Sequence, residues 1–118
     1  MEPVIYTMVQ AADWAAAQAA GCYRGSADDQ RDGFLHFSTA AQLRASARKH
    51  RAGQHGLWLL AADAALLGAA LRWEPAAGGS RPGLFPHLYD VLPLSALRSA
   101  VPLPLGQDGQ HVFPDEIP

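Results

Sequence analysis

No apolar run in this sequence is long, and several of the segments joining its short apolar stretches fall below the dozen residues a parallel crossover needs. Strand-like and helix-like stretches alternate from end to end. That combination predicts an α+β domain of small, mostly antiparallel sheets with two main helices. The first strand is Val4-Ile5-Tyr6-Thr7-Met8-Val9, β-branched and aromatic. The first helix is Ala11 to Ala20, with alanine at seven of ten positions and Gly21 as its stop. Its buried face is expected at Trp14, Ala17 and Gln18. Gly25 to Gly33 reads as a polar turn. Phe34-Leu35-His36-Phe37-Ser38 is a second short strand, and Ser38 or Thr39 caps a second helix running to about His50, with Leu43, Ala47 and His50 on one side.

Leu57 to Ala62 is the clearest interior strand, followed by a helical turn opened by Asp63. Leu71 to Glu74 is a strand cut off by Pro75. Ala76 to Gly83 is rich in Gly and Pro and reads as a mobile loop. Leu88 to Leu92 is a further strand, and Ala100 to Leu105 is the last, an edge strand by its prolines. The 118 residues suffice for one core, so the chain reads as a single domain over 1–118 ending in an irregular tail from Gly106. Apolar residues are 49% and charged ones 17%, which excludes polyelectrolyte disorder. Nine basic against eleven acidic residues give no electrostatic case for nucleic acid or an anionic membrane. No run approaches a membrane span, Met1-Glu2-Pro3 does not open a signal peptide, and Cys22 alone makes no internal bridge. These features predict a cytoplasmic location.

Polar residues inside apolar strands carry the functional information, because burial without a partner costs about 1–3 kcal/mol. By the strand period of two, His36 and Ser38 share a face, and so do His87 and Tyr89 in Leu84-Phe85-Pro86-His87-Leu88-Tyr89. Glu74 ends a strand just before a proline. Read alone, Glu74 is a surface carboxylate paired with Arg72 or Arg81, and Arg44, Arg48, Lys49 and Arg51 form a solvated helix face. Glycine-rich phosphate loops and nucleophile elbows are absent, and one cysteine excludes a thiolate zinc cluster. No metal is called for, although His36, His87 and Glu74 would serve a metal-dependent hydrolase if they converged. Replacing His36 by Ala is expected to leave the melting temperature nearly unchanged, while His87 is expected to anchor its loop.

Several of these blocks occur together in one family. Ile5-Tyr6, Trp14, Gly33-Phe34-Leu35-His36-Phe37-Ser38-Thr39 with Gln42, Trp73-Glu74 and Phe85-Pro86-His87-Leu88-Tyr89 resemble, in order and spacing, the small bacterial family known as domain of unknown function 952. The likeness covers roughly residues 4–104. It implies a fold similar to ADP-ribosyltransferases, which bind NAD in a cleft between two small antiparallel sheets. On that resemblance Tyr6, His36, Ser38, Thr39 and Tyr89 are the ligand-binding residues. His36 would bond the ribose or pyrophosphate, Ser38 would support it, and Tyr89 would stack on the nicotinamide. Glu74 or His87 would be catalytic, stabilising positive charge as the glycosidic bond breaks. Thr7 stands where such enzymes often carry a basic residue, and Asp90 departs from the glycine usual after that tyrosine. The expectation is therefore a protein that binds NAD or a related ribosyl nucleotide, with ADP-ribosyl transfer as its activity if it is an enzyme. The competing expectation is a non-catalytic interaction module whose polar cluster is structural.

Overall fold

The structure, a computed structural model, describes residues 3–76, 82–114 and 117. The first strand, β1 (Val4–Gln10), is buried on both faces, Ile5 and Val9 on one and Tyr6 and Met8 on the other. Burial on both faces is what makes it an apolar run rather than an alternation. It pairs with β4 (Leu57–Asp63) from Val4↔Asp63 to Gln10↔Leu57, and β4 pairs in turn with β8 (Leu97–Leu103). The resulting antiparallel sheet has the order β1-β4-β8. Pro102 sits in β8, an edge strand, where a missing N–H breaks no ladder.

Helix α1 (Ala11–Ala20) ends at Gly21, whose φ of 79° lets its N–H close on the carbonyl of Ala17. The helix buries Trp14 and Ala17 and leaves Gln18 exposed, a narrower face than the sequence predicts. Trp14 lies 6.0 Å, ring to ring, from Trp58 of β4. The segment expected to be a turn is a helix, α2 (Ala27–Asp32). Ser26 Oγ accepts from the N–H of Asp29, Asp29 Oδ2 accepts from the N–H of Ser26, and Gly33 closes the end at φ 84°. Helix α3 (Ala40–His50) is capped by Thr39 and not Ser38, in a reciprocal box with Gln42. Its buried face is Leu43, Ser46 and Ala47, and His50 is exposed. The molecule is thus α+β with three α-helices among the described residues, one more than expected.

A second antiparallel sheet has the order β3-β6-β5, from β3 (Leu35–His36), β6 (Leu84–Leu88) and β5 (Leu71–Pro75). Pro86 occupies its central strand. The Pro86 carbonyl accepts from Phe37 N–H at 3.0 Å on the β3 side, where the ladder is only two residues long, so the missing donor costs little. Leu88 to Leu92 is not one strand: the chain bends at Tyr89 and Asp90, and Leu92 opens β7 (Leu92–Pro93), which pairs with β2 (Cys22–Tyr23). The loop expected over Ala76 to Gly83 falls largely on residues 77–81, outside the described residues.

Two backbone hydrogen bonds of 2.8 Å, Tyr6 N–H to Ser38 O and Ser38 N–H to Tyr6 O, join the edge of the first sheet to the second. One apolar cluster, with Ile5, Val9, Trp14, Leu60 and Leu88, fills the space between them. Another, with Tyr6, Met8, Leu43, Leu59 and Leu103, lies under α3. Among the described residues no helix is long and apolar enough to cross a membrane.

Candidate functional site

A cleft of roughly 330 Å³ opens along the seam made by the Tyr6–Ser38 bridge. Its wall takes Tyr6, Thr7 and Met8 from β1, His36 to Ser38 from β3 and the residues after it, and Phe85 and His87 from β6. Asp28, Asp29, Arg31 and Asp32 of α2 stand on one side, and Lys49, His50 and Arg51 at the end of α3 on another. Of the residues singled out in the sequence, Tyr6, His36, Ser38 and His87 come together here. Thr39, Glu74 and Tyr89 are not in the wall. Thr39 is spent as the cap of α3.

His36 and His87 are register partners across β3 and β6, with rings 5.7 Å apart and edge-to-face. Phe34 packs against both: its ring is 4.1 Å from His87, nearly parallel, and 4.5 Å from His36. The two imidazoles have opposite surroundings. His36 donates from Nδ1 to Asp29 Oδ1 at 2.5 Å, and its Nε2 pairs with Asp32 Oδ2 at 3.0 Å. Burial pushes its pKa down, but the hydrogen bond and charge of Asp29, helped by Asp32, outweigh that and raise it above the ordinary histidine value. Asp29 is itself buried, yet hydrogen bonds from the His36 ring, Ser26 N–H and His36 N–H hold its carboxyl below the usual range. With both ring nitrogens engaged, His36 binds a ribose or pyrophosphate through nitrogen only by releasing one of these carboxylates.

His87 is 4% exposed, and burial, the largest cause, lowers its pKa, opposed by its hydrogen bond to Glu74 and reinforced by the charge of His36. Its Nδ1 lies 3.0 Å from Glu74 Oε1. A carboxylate only accepts, so Nδ1 carries the proton and the neutral ring keeps its lone pair on Nε2. Among the described residues Nε2 makes no hydrogen bond. The Tyr89 hydroxyl donates to the same Glu74 oxygen at 2.6 Å. Glu74 is held below its usual pKa by Tyr89 first and His87 second. Its hydrogen-bond partners are thus a phenol and an imidazole, with Arg72 acting on it only through charge; Arg81 lies outside the described residues. The Arg72 guanidinium instead sits 4.8 Å over the Tyr89 ring, covering a face that stacking on nicotinamide would use.

Ser38 Oγ is hydrogen-bonded to Ser46 Oγ at 2.7 Å, and Thr7 Oγ1 donates to the His36 carbonyl at 3.0 Å. Arg51 donates to the Met8 carbonyl and to Gln54 Oε1, so the basic run is not wholly a solvated face. Asp29, Asp32, Phe34 and Arg51 were not candidates from sequence. The Ser26-x-x-Asp29 spacing before a glycine stop is the one signal that could have placed Asp29 on a helix facing β3. Among the described residues, no group of three or more His, Cys, Asp or Glu side chains is placed to hold a metal ion. Of the His36, His87 and Glu74 set, His36 is engaged at both ring nitrogens by Asp29 and Asp32, while His87 Nδ1 and Glu74 Oε1 are engaged with each other.

No curated protein matches the chain. The crystal structure of protein CC0527 from Caulobacter crescentus is 41% identical, with a TM-score of 0.85 over 92% of this chain and 93% of that one. The solution NMR structure of CC0527 is likewise 41% identical, with a TM-score of 0.80 over 92% and 91% of the two chains. The family model described as protein of unknown function (DUF952) matches residues 8–100, which include β1 from Met8, the His36-Phe37-Ser38-Thr39 block and the Phe85 to Tyr89 block. Matched over most of its length by that model, the chain belongs to the DUF952 family.

Proposed function

We propose that the protein binds a ribosyl nucleotide, with NAD as the first candidate, in the cleft at the seam of its two three-stranded sheets, and that its fold is of the ADP-ribosyltransferase kind. The observation that carries this reading is the convergence of Tyr6, His36, Ser38 and His87 on one cleft. Two small antiparallel sheets meeting edge to edge agree with such a fold. A volume of roughly 330 Å³ is at the small end of ligand pockets, so the cleft encloses about one nucleoside unit and leaves the rest of a dinucleotide at its mouth. Arg31, Lys49 and Arg51 offer positive charge to phosphate, and the α2 carboxylates offer acceptors to ribose hydroxyls. Glu74 reaches the cleft only through His87, so binding is better supported than ADP-ribosyl transfer. Calorimetry with NAD, ADP-ribose and RNA bearing a 2′-phosphate should show saturable heat with at least one of them. Silence from all three, with no shift in melting temperature at millimolar ligand, refutes the reading.

A second reading, a non-catalytic interaction module, is favoured by how much of the polar cluster is satisfied within the protein: Thr7 on the His36 carbonyl, Ser38 on Ser46, Asp29 on His36. Under it, substitutions in the cleft change stability alone, and every nucleotide gives silent calorimetry.

A further inference from the structure

We propose that His87 and His36 form the base and acid of a proton-transfer pair that hydrolyses a ribonucleoside 2′,3′-cyclic phosphate bound in the cleft. This rests on the ribosyl-nucleotide reading. The geometry has three parts. The two rings line one cleft 5.7 Å apart, near enough for one small group to touch both. Each ring has its own carboxylate partners, Glu74 (shared with Tyr89) for His87 and Asp29 with Asp32 for His36. Phe34 packs against both rings and limits their rotation. Pairs of titratable groups whose surroundings drive their protonation apart mark acid and base assignments. Here the neutral ring, whose Nε2 makes no hydrogen bond among the described residues, is the base, and the imidazolium is the acid.

The reaction class follows from what an acid is for. A ribose alkoxide leaving group needs a proton, which a pyridinium leaving as neutral nicotinamide does not. The size of the cleft favours a single nucleotide over an extended strand. His87 Nε2 takes a proton from water as the water oxygen bonds to phosphorus. The bond from phosphorus to one ribose oxygen breaks, and that oxygen takes the Nε2 proton of His36. The product is a ribonucleoside monophosphate with a free neighbouring hydroxyl. His36 ends neutral and His87 protonated, and exchange with solvent restores both. Release of the His36 Nε2–H requires Asp32 to move aside. Asp32 has a second partner that keeps it charged, Arg31 at 3.1 Å, whereas buried Asp29 stays on Nδ1 and holds the ring. Glu74 acts through His87 and is a positioning residue.

The charged groups facing His36 are Asp29 and Asp32 of α2 and His87 of β6; those facing His87 are Glu74 of β5, His36 of β3 and Asp32. The purified protein is incubated with 2′,3′-cyclic AMP and product is followed by phosphorus NMR across pH, with calorimetric binding of ADP-ribose measured in parallel. The expected result is monoester formation with a bell-shaped pH profile. His87→Ala and His36→Ala should each lose about 10²-fold or more in rate. Glu74→Gln should lose less and move the limb assigned to the base, a shift that a merely structural role would not give. Binding of ADP-ribose without any hydrolysis overturns this proposal and leaves the ribosyl-nucleotide reading standing. Absence of both overturns both. Hydrolysis that survives either histidine substitution, or a Glu74→Gln protein with an unmoved profile, overturns the residue assignment.

Discussion

His36 illustrates how far a single residue could be read in advance. Its place in an apolar strand marked it as a candidate, and in the structure it lines the cleft. The carboxylates on its ring were not legible, because they come from a helix that the composition disguised as a turn. Those carboxylates bear on the mild outcome expected for His36→Ala, which no melt has yet tested. Removing the ring leaves Asp29, 7% exposed, short of its shortest hydrogen bond. We predict a loss of about 1–3 kcal/mol, several degrees of melting temperature. The sign of its pH dependence is fixed by the two shifts. His36 has a raised folded pKa, so its contribution is full below the unfolded value of about 6.5 and falls as pH rises through the folded value. Asp29 has a lowered folded pKa, so its contribution is present above about 4 and is lost as pH falls through the folded value. The gap in melting temperature between wild type and His36→Ala should therefore be widest at about pH 5–6 and shrink toward pH 9. Thermal melts across that range check it, and a gap that grows with pH contradicts the ion-pair account. His87 has the opposite sign: its lowered pKa makes it a neutral buried ring that loses stability as pH falls below about 6.5.

At the scale of elements, β1, β4, β5 and the two longer helices were legible from period and composition, while β2, the bounds of β6 and α2 were not. Ala27 to Asp32 has no apolar stripe, and six residues are too few for a period to show. Its existence depends on the reciprocal Ser26–Asp29 cap, and on Gly25, which packs tightly behind it. Gly25 has φ 101°, and a Cβ there would come 2.6 Å from Leu35 Cδ2 and 2.7 Å from Asp29 Cβ. Alanine meets strain and collision together, so Gly25→Ala should destabilise by more than about 1 kcal/mol. The displacement falls on Asp29, which ties α2 to β3 through both the ring and the N–H of His36. NMR titration of the variant should find the His36 pKa moved down toward the ordinary histidine value. An unchanged His36 pKa in a folded Gly25→Ala protein would show that α2 does not set the charge of that ring. The Tyr89–Glu74–His87 chain was hidden for another reason. It depends on the register of β5 against β6, where Arg72 and not Glu74 stands opposite His87, and no spacing within one strand reveals that.

For the whole molecule, the sequence reading of one domain turns into a question of cooperativity. The two apolar clusters lie on opposite faces of the β1-β4-β8 sheet, so adjacent residues of one strand, Ile5 and Tyr6 or Leu59 and Leu60, belong to different clusters. Neither cluster can lose its wall without exposing the back of the other. Trp14, Trp58 and Trp73 are all in or against the first cluster, so tryptophan fluorescence reports that side, whereas far-UV circular dichroism reports every element. Leu43 is fully buried in the second cluster, on α3. Truncating it to alanine removes apolar contacts and leaves a cavity, a loss of about 2–5 kcal/mol. Because β1 and β4 are shared, that loss should be felt on the fluorescent side as well. We predict that Leu43→Ala lowers the urea midpoint of both signals equally, with coincident curves in the wild type and in the variant. Fluorescence holding at the wild-type midpoint while the dichroism signal falls early would mean that the layer under α3 unfolds on its own. The cleft residues on α3, Lys49 and His50, would then belong to a separately melting unit, and the site could lose one wall without global unfolding.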